Sequence, residues 1–129
     1  MRITYWEQTS DFDYKEHEEI NLSEAIQILK SHNWNEDLKM IERLKYLEKE
    51  WCPPGIGFVS KAGFILHICT EERDMFMVYY HYPAGLKFLI KLGLAGQRTV
   101  SATNMTENRV IEVIKQFFKG SHQELLNLC

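Results

Sequence analysis

The stretch Met75-Phe76-Met77-Val78-Tyr79-Tyr80-His81-Tyr82, closed by Pro83, constrains this chain more than any other. Bulky apolar or aromatic residues occupy both of its alternating faces, the pattern of a strand inside a sheet with cover on each side. A second run, Gly57–Cys69, precedes it across the polar turn Thr70–Asp74. Within that run Ile56–Val59, Ser60–Gly63 and Phe64–Cys69 read as strand, tight turn, strand. A hairpin centred on Glu72 pairs Ile68 with Phe76, Leu66 with Val78 and Phe64 with Tyr80, which places six apolar residues on one face. The reverse face carries Ile65, His67, Cys69, Met75, Met77 and Tyr79. It is too apolar to stand bare, so either a helix or a partner must cover it.

The elements around this hairpin follow from periodicity. Arg2–Glu7 alternates and is β-rich, which predicts a first strand at or near an edge. Asn21-Leu22-Ser23-Glu24 is a capping-box signal, and Leu22, Ala25, Ile26 and Leu29 share one helical face, so Leu22–Ser31 is a helix. Glu36–Trp51 resumes that periodicity through Leu38, Ile41, Leu44 and Leu47, predicting a one-sided surface helix stopped by Cys52-Pro53-Pro54-Gly55. Leu86–Leu94 reads as strand or helix, with alternation and Gly93 favouring a strand, and Arg98–Ala102 as a short β segment. Asn104–Glu107 signals another helix start. Val110, Ile111, Val113, Ile114, Phe117 and Phe118 form its apolar stripe, and Gly120 stands at its end. The expected fold is a single α+β domain over residues 1–129: one mainly antiparallel sheet of about five or six strands, an N-terminal and a C-terminal amphipathic helix, and an additional surface helix.

Charge narrows the function. The formal net charge is −3, yet residues 1–51 hold seven Lys/Arg against twelve Asp/Glu, whereas residues 52–129 hold eight against six. An acidic half opposes direct nucleic-acid binding, because phosphate contacts need a basic face. It suits a basic protein surface, with charge steering the encounter. Asp11–Glu19 packs five carboxylates around Phe12 and Tyr14 with a single lysine, which predicts a loop rather than a buried element. Aromatics among acids form a recognition surface, since rings supply contact area and charge supplies specificity. The candidate contact residues are Asp11, Asp13, Tyr14, Glu16, Glu18 and Glu19, joined by Trp34 and Asp37 through proximity in sequence.

Catalytic and metal chemistry find little support. Cys52, Cys69 and Cys129 are widely spaced with no CxxC pair, which reads as free thiols in a reducing cytoplasm. The start is too polar for a secretory segment, and no apolar run reaches the ~20 residues of a membrane-spanning helix. In the register above, His81 lies four residues along the sheet from His67, roughly 13 Å at ~3.3 Å per residue, too far to share a metal with His67 and Cys69. No cleft or positioned base accompanies a Cys69 nucleophile. Gly55-Ile56-Gly57 and Gly93–Arg98 lack the remaining parts of nucleotide-binding loops. No cofactor, no metal and no catalysis are expected.

Three stretches carry a family resemblance: Gly57-Phe58-Val59-Ser60-Lys61-Ala62-Gly63, then Met77-Val78-Tyr79-Tyr80, then Asn104–Lys119 ending Val-Ile-Glu-Val-Ile-Lys-Gln-Phe-Phe-Lys. With the element order, they resemble the α+β immunity proteins of bacterial contact-dependent inhibition and polymorphic toxin systems (the Imm-one kind). The likeness spans about half the chain. It departs in a longer Glu36–Trp51 helix and a more apolar Leu86–Gly96 run. The resemblance implies a small cytoplasmic protein, monomeric rather than an obligate oligomer, that occludes a cognate toxin domain acting on nucleic acid. The alternative is a non-enzymatic adaptor that dimerises through the apolar sheet face.

Overall fold

In a computed structural model of the chain, residues 2–84 and 96–128 are described. They form one six-stranded antiparallel sheet with four helices, an α+β arrangement. The strands are β1 (Ile3–Gln8), β2 (Tyr14–His17), β3 (Gly55–Ser60), β4 (Ile65–Glu72), β5 (Met75–Ala84) and β6 (Gly96–Met105), in spatial order β2-β1-β3-β4-β5-β6. The helices are α1 (Leu22–Ser31), α2 (Trp34–Tyr46), α3 (Glu107–Lys119) and α4 (His122–Leu126). The expected strand or helix at Leu86–Leu94 lies outside the described residues.

One face of the sheet is the core. Ile3, Ile56, Phe58, Leu66, Ile68, Val78 and Tyr80 are fully buried on it and meet Ala25 and Leu29 of α1 and Val110, Val113, Ile114 and Phe117 of α3. The two helices that seal this face, α1 and α3, each begin at a side-chain cap. Asn21 accepts from the Glu24 amide at 2.8 Å while Glu24 accepts from the Asn21 amide, a complete capping box. Thr106 caps α3, and Gly120 closes it at φ 73°. The Tyr80 hydroxyl lies 2.7 Å from His122 Nδ1, tying α4 to the middle of β5.

The central hairpin has the expected faces but a different register. Leu66 pairs with Tyr80 and Ile68 with Val78, two residues from the alignment centred on Glu72. The reversal is a two-residue turn at Arg73-Asp74 with Asp74 at φ 64°, and a bulge between Thr70 and Glu72 absorbs the offset. A shift of two keeps every side chain on its face, so the pattern alone does not choose between the two registers. The strand also runs past Pro83, which pairs with Gln97. The last β4 partner is Ile65 opposite His81, so the missing N–H falls where β5 has one neighbouring strand.

Two further expectations are corrected. Asp11–Glu19 is not all loop, because Tyr14–His17 pairs with β1 and forms the edge strand. β1 therefore lies second from the edge, within the expectation of a strand at or near an edge. The Tyr5 and His17 rings stack at 4.3 Å, an anchor that offsets the unfavourable local composition. The second helix spans Trp34–Tyr46 rather than Glu36–Trp51. Asn33 starts it by accepting from the Glu36 amide. It stops in a paired-bond terminus: the Glu48 amide donates to Lys45 and the Lys49 amide to Leu44, with Glu48 at φ 54°. A glutamate in the left-handed position is not a readable stop signal.

Candidate protein-binding face

The reverse face of the sheet is shared between a helix and solvent. Leu38 and Ile41 of α2 face Cys69, Met77 and Tyr79 across a cleft of about 340 Å³, also walled by Trp51, Pro53 and Pro54. α2 covers the Cys69–Met77 end of this face, and Trp6, His67 and His81 beyond it are partly buried.

Beside this cleft, and sharing Tyr79 with it, one row of cross-strand partners traverses all six strands. Glu16 faces Trp6, Trp6 faces Gly57, Gly57 faces His67, His67 faces Tyr79, and Tyr79 faces Ser101. Gly57 is what lets the row close. A Cβ there would fall on Cε2 and Cζ2 of the Trp6 indole, so the ring lies across the backbone of β3. From that position it reaches His67 at 4.8 Å between ring centroids and Tyr14 at 5.9 Å. His67 meets Tyr79 at 5.8 Å, and Tyr79 stacks on His81 at 6.2 Å and 9°. His81 Nδ1 closes the far end, 2.7 Å from Thr99 Oγ1. Five rings form a continuous ridge from the β2 edge to β5.

The titratable groups of this ridge are held neutral. Burial depresses the His67 imidazole to about 4, outweighing its bond to the Pro54 carbonyl, with His81 lowering it further. His81 is lowered by burial as well. Cys69 Sγ lies 3.3 Å from His67 Nε2, the one thiol–imidazole contact among the described residues. It is not an activated pair. Nε2 must carry the ring proton, because its 3.2 Å partner is the Pro54 carbonyl, and the basic Nδ1 is 3.9 Å from the sulfur. Burial, reinforced by the Asp37 carboxylate, pushes the thiol up to about 12. The register also corrects the separation of His81 from His67: His81 faces Ile65, two residues along the sheet instead of four. Among the described residues no three His, Cys, Asp or Glu side chains converge as a metal set.

The acidic residues proposed from sequence divide into two groups. Asp11, Asp13, Tyr14, Glu16, Glu18 and Glu19 are all exposed along the β1–β2 hairpin and its exit. Thr9 organises the tip by bonding the Asp11 carboxylate and the Asp13 amide. The Tyr14 hydroxyl donates to Glu16 at 2.9 Å, and Glu19 pairs with Arg2 at 3.0 Å. Tyr14 and Glu16 face the ridge. Trp34 and Asp37 do not join them. Trp34 donates to the Leu29 carbonyl and packs edge-on against Phe76, and Asp37, nearly buried, lies 2.7 Å from His32 Nε2. Both fasten the α1–α2 corner.

The structure adds residues that sequence proximity missed. The Cys52 amide donates to the Ser10 carbonyl at 3.0 Å and its thiol to Thr9, so the segment after α2 abuts the hairpin tip. Trp51, the exposed indole next to Cys52 in sequence, is thereby brought toward the tip that carries Phe12 (58% exposed) and Tyr14. Trp6 and Gly57 had a sequence signal, a glycine alternating between Ile56 and Phe58 in a strand that otherwise spends its volume on apolar residues. That signal gains its meaning only from the pairing of β1 with β3. No family model matches this sequence, and no curated protein or solved structure matches it.

Proposed function

We propose that this chain is an immunity-type protein that binds a basic toxin domain and occludes its active or substrate-binding surface, acting without catalysis in the cytoplasm of the cell it protects. The observation that carries the reading is the aromatic ridge Tyr14–Trp6–His67–Tyr79–His81 running into an exposed acidic hairpin. Interfaces of high affinity combine desolvated aromatic anchors with charges that select and orient the partner. A toxin that acts on nucleic acid needs a basic groove. Asp11, Asp13 and Glu16 supply the complementary charge, and the ridge beside them supplies apolar area. The neutral state of His67 keeps a cation out of that surface. The resemblance of the Gly57–Gly63, Met77–Tyr80 and Asn104–Lys119 segments to immunity proteins supports the same assignment.

The reading requires a toxin domain encoded beside this gene, and the test uses that domain. Co-expression should restore growth, and the purified pair should bind tightly. Reversing Asp11, Asp13 and Glu16 to lysine should weaken binding at least tenfold, on the order of 1.4 kcal/mol or more. A neighbouring metabolic operon with no toxin gene, or full protection by the reversed variant, would sink the reading.

A further inference from the structure

We propose that the corner formed by Trp6, Tyr14 and Glu16 seats an arginine side chain of the partner. The proposal rests on the protein-binding reading above and names the residue type this face selects. A Cβ on Gly57 would fall on Cε2 and Cζ2 of the Trp6 indole, so the ring lies against the β3 backbone, and Trp6 stays partly exposed. Tyr14 stands beside it, ring centroids 5.9 Å apart and planes 47° apart, as a side wall. Glu16 is the direct cross-strand partner of Trp6, and its Oε1 is held by the Tyr14 hydroxyl at 2.9 Å, leaving Oε2 to accept from outside. An aromatic face with an oriented carboxylate at its edge matches a planar guanidinium, which stacks while donating in its own plane. A lysine ammonium has no flat face to stack and holds its water more strongly.

Two comparisons within the molecule strengthen the choice. Trp51, another half-exposed indole, already holds a cation, with Lys45 Nζ 4.9 Å from the ring centroid. No such cation sits over Trp6 among the described residues. The hairpin's own lysine, Lys15, is paired opposite Glu7 and so belongs to the other face, leaving the Glu16 carboxylate without that lysine on this one. Asp11 and Asp13 at the adjoining tip add to the attraction for a cation and repel phosphate.

The seat is tested without the toxin, so that the two proposals fail separately. The nitrogen-labelled full chain is titrated with blocked arginine (N-acetyl-arginine methylamide) and with the lysine counterpart, following the three indole N–H signals. Arginine should shift the Trp6 signal saturably while the Trp34 signal, whose N–H is bonded to Leu29, stays in place. Lysine should bind about fivefold more weakly or worse, and Glu16→Gln should weaken arginine by a similar factor. Tyr14→Phe, which frees the carboxylate without removing it, should give a smaller loss. A Trp6 signal unmoved by arginine, equal response to the two probes, or indifference to Glu16→Gln would each overturn the seat. Saturable arginine binding by a chain that ignores the neighbouring toxin domain would leave the seat standing and remove the immunity reading.

Discussion

A hydrogen at Gly57 in place of a side chain sets the geometry of the ridge. Gly57→Ala places a methyl group inside the Trp6 ring, so the indole must leave the row. Destabilisation of about 1–3 kcal/mol is expected from the overpacking, together with a red shift of the Trp6 fluorescence as its ring meets water. An unchanged emission spectrum would show that the ring does not lie over β3. His67 makes the second residue-scale prediction. Its folded-state value is about 4, below the ordinary 6.5, so between those values the unfolded chain binds a proton that the folded chain refuses. Its contribution is complete above pH 6.5 and is lost as pH falls toward 4, up to about 3 kcal/mol. Denaturant midpoints at pH 7.5 and 4.5 should therefore diverge more in wild type than in His67→Gln. Equal divergence would mean that other groups carry the acid sensitivity.

Elements in this fold begin where the sequence announces a cap and end where it often does not. Asn21 and Gly120 were readable because their chemistry is the usual one for their positions, whereas the signal Asn104–Glu107 marked the start of α3 without singling out Thr106 as its cap. The end of α2 was not, since Glu48 occupies a left-handed position that favours glycine, at φ 54°. The hairpin tip has the same character: Phe12 sits at φ 68° after a turn closed by its own amide to Thr9. These two strained sites separate structure from function. Glu48→Gly should stabilise the protein by up to about 1 kcal/mol without affecting partner binding. Phe12→Gly should relieve comparable strain yet weaken the partner complex, because it removes an exposed ring from the proposed docking end. Thermal melts and binding measurements on both variants check the contrast; equal binding by the two would place the partner away from the hairpin.

At the scale of the whole molecule, the sheet separates a sealed core face from a reverse face that α2 covers in part. Dimerisation through the reverse face would need a broad apolar surface, and what α2 leaves is interrupted by Thr4, Thr99 and Ser101 and bounded by the acidic hairpin. Light scattering should give a monomer at all concentrations, and a stable dimer would favour the adaptor reading instead. No helix among the described residues is long and apolar enough to cross a membrane. Local pattern by itself determined the α+β class, the capped starts of α1 and α3, and which residues of β4 and β5 face the core, because those properties depend on period two, period 3.6 and cap chemistry within a few residues. It also marked the acidic hairpin as a surface. Tertiary structure alone decided that β1 lies second from the edge, that β4 and β5 align two residues away from the symmetric hairpin, and that Trp34 and Asp37 leave the acidic group for the α1–α2 corner. Above all it decided that Trp6, Gly57, His67 and Tyr79, four residues scattered over seventy-odd positions, stand in one row. The physical reason is that strand order and register are set by long-range pairing, and a strand's own alternation specifies its faces without naming its neighbours.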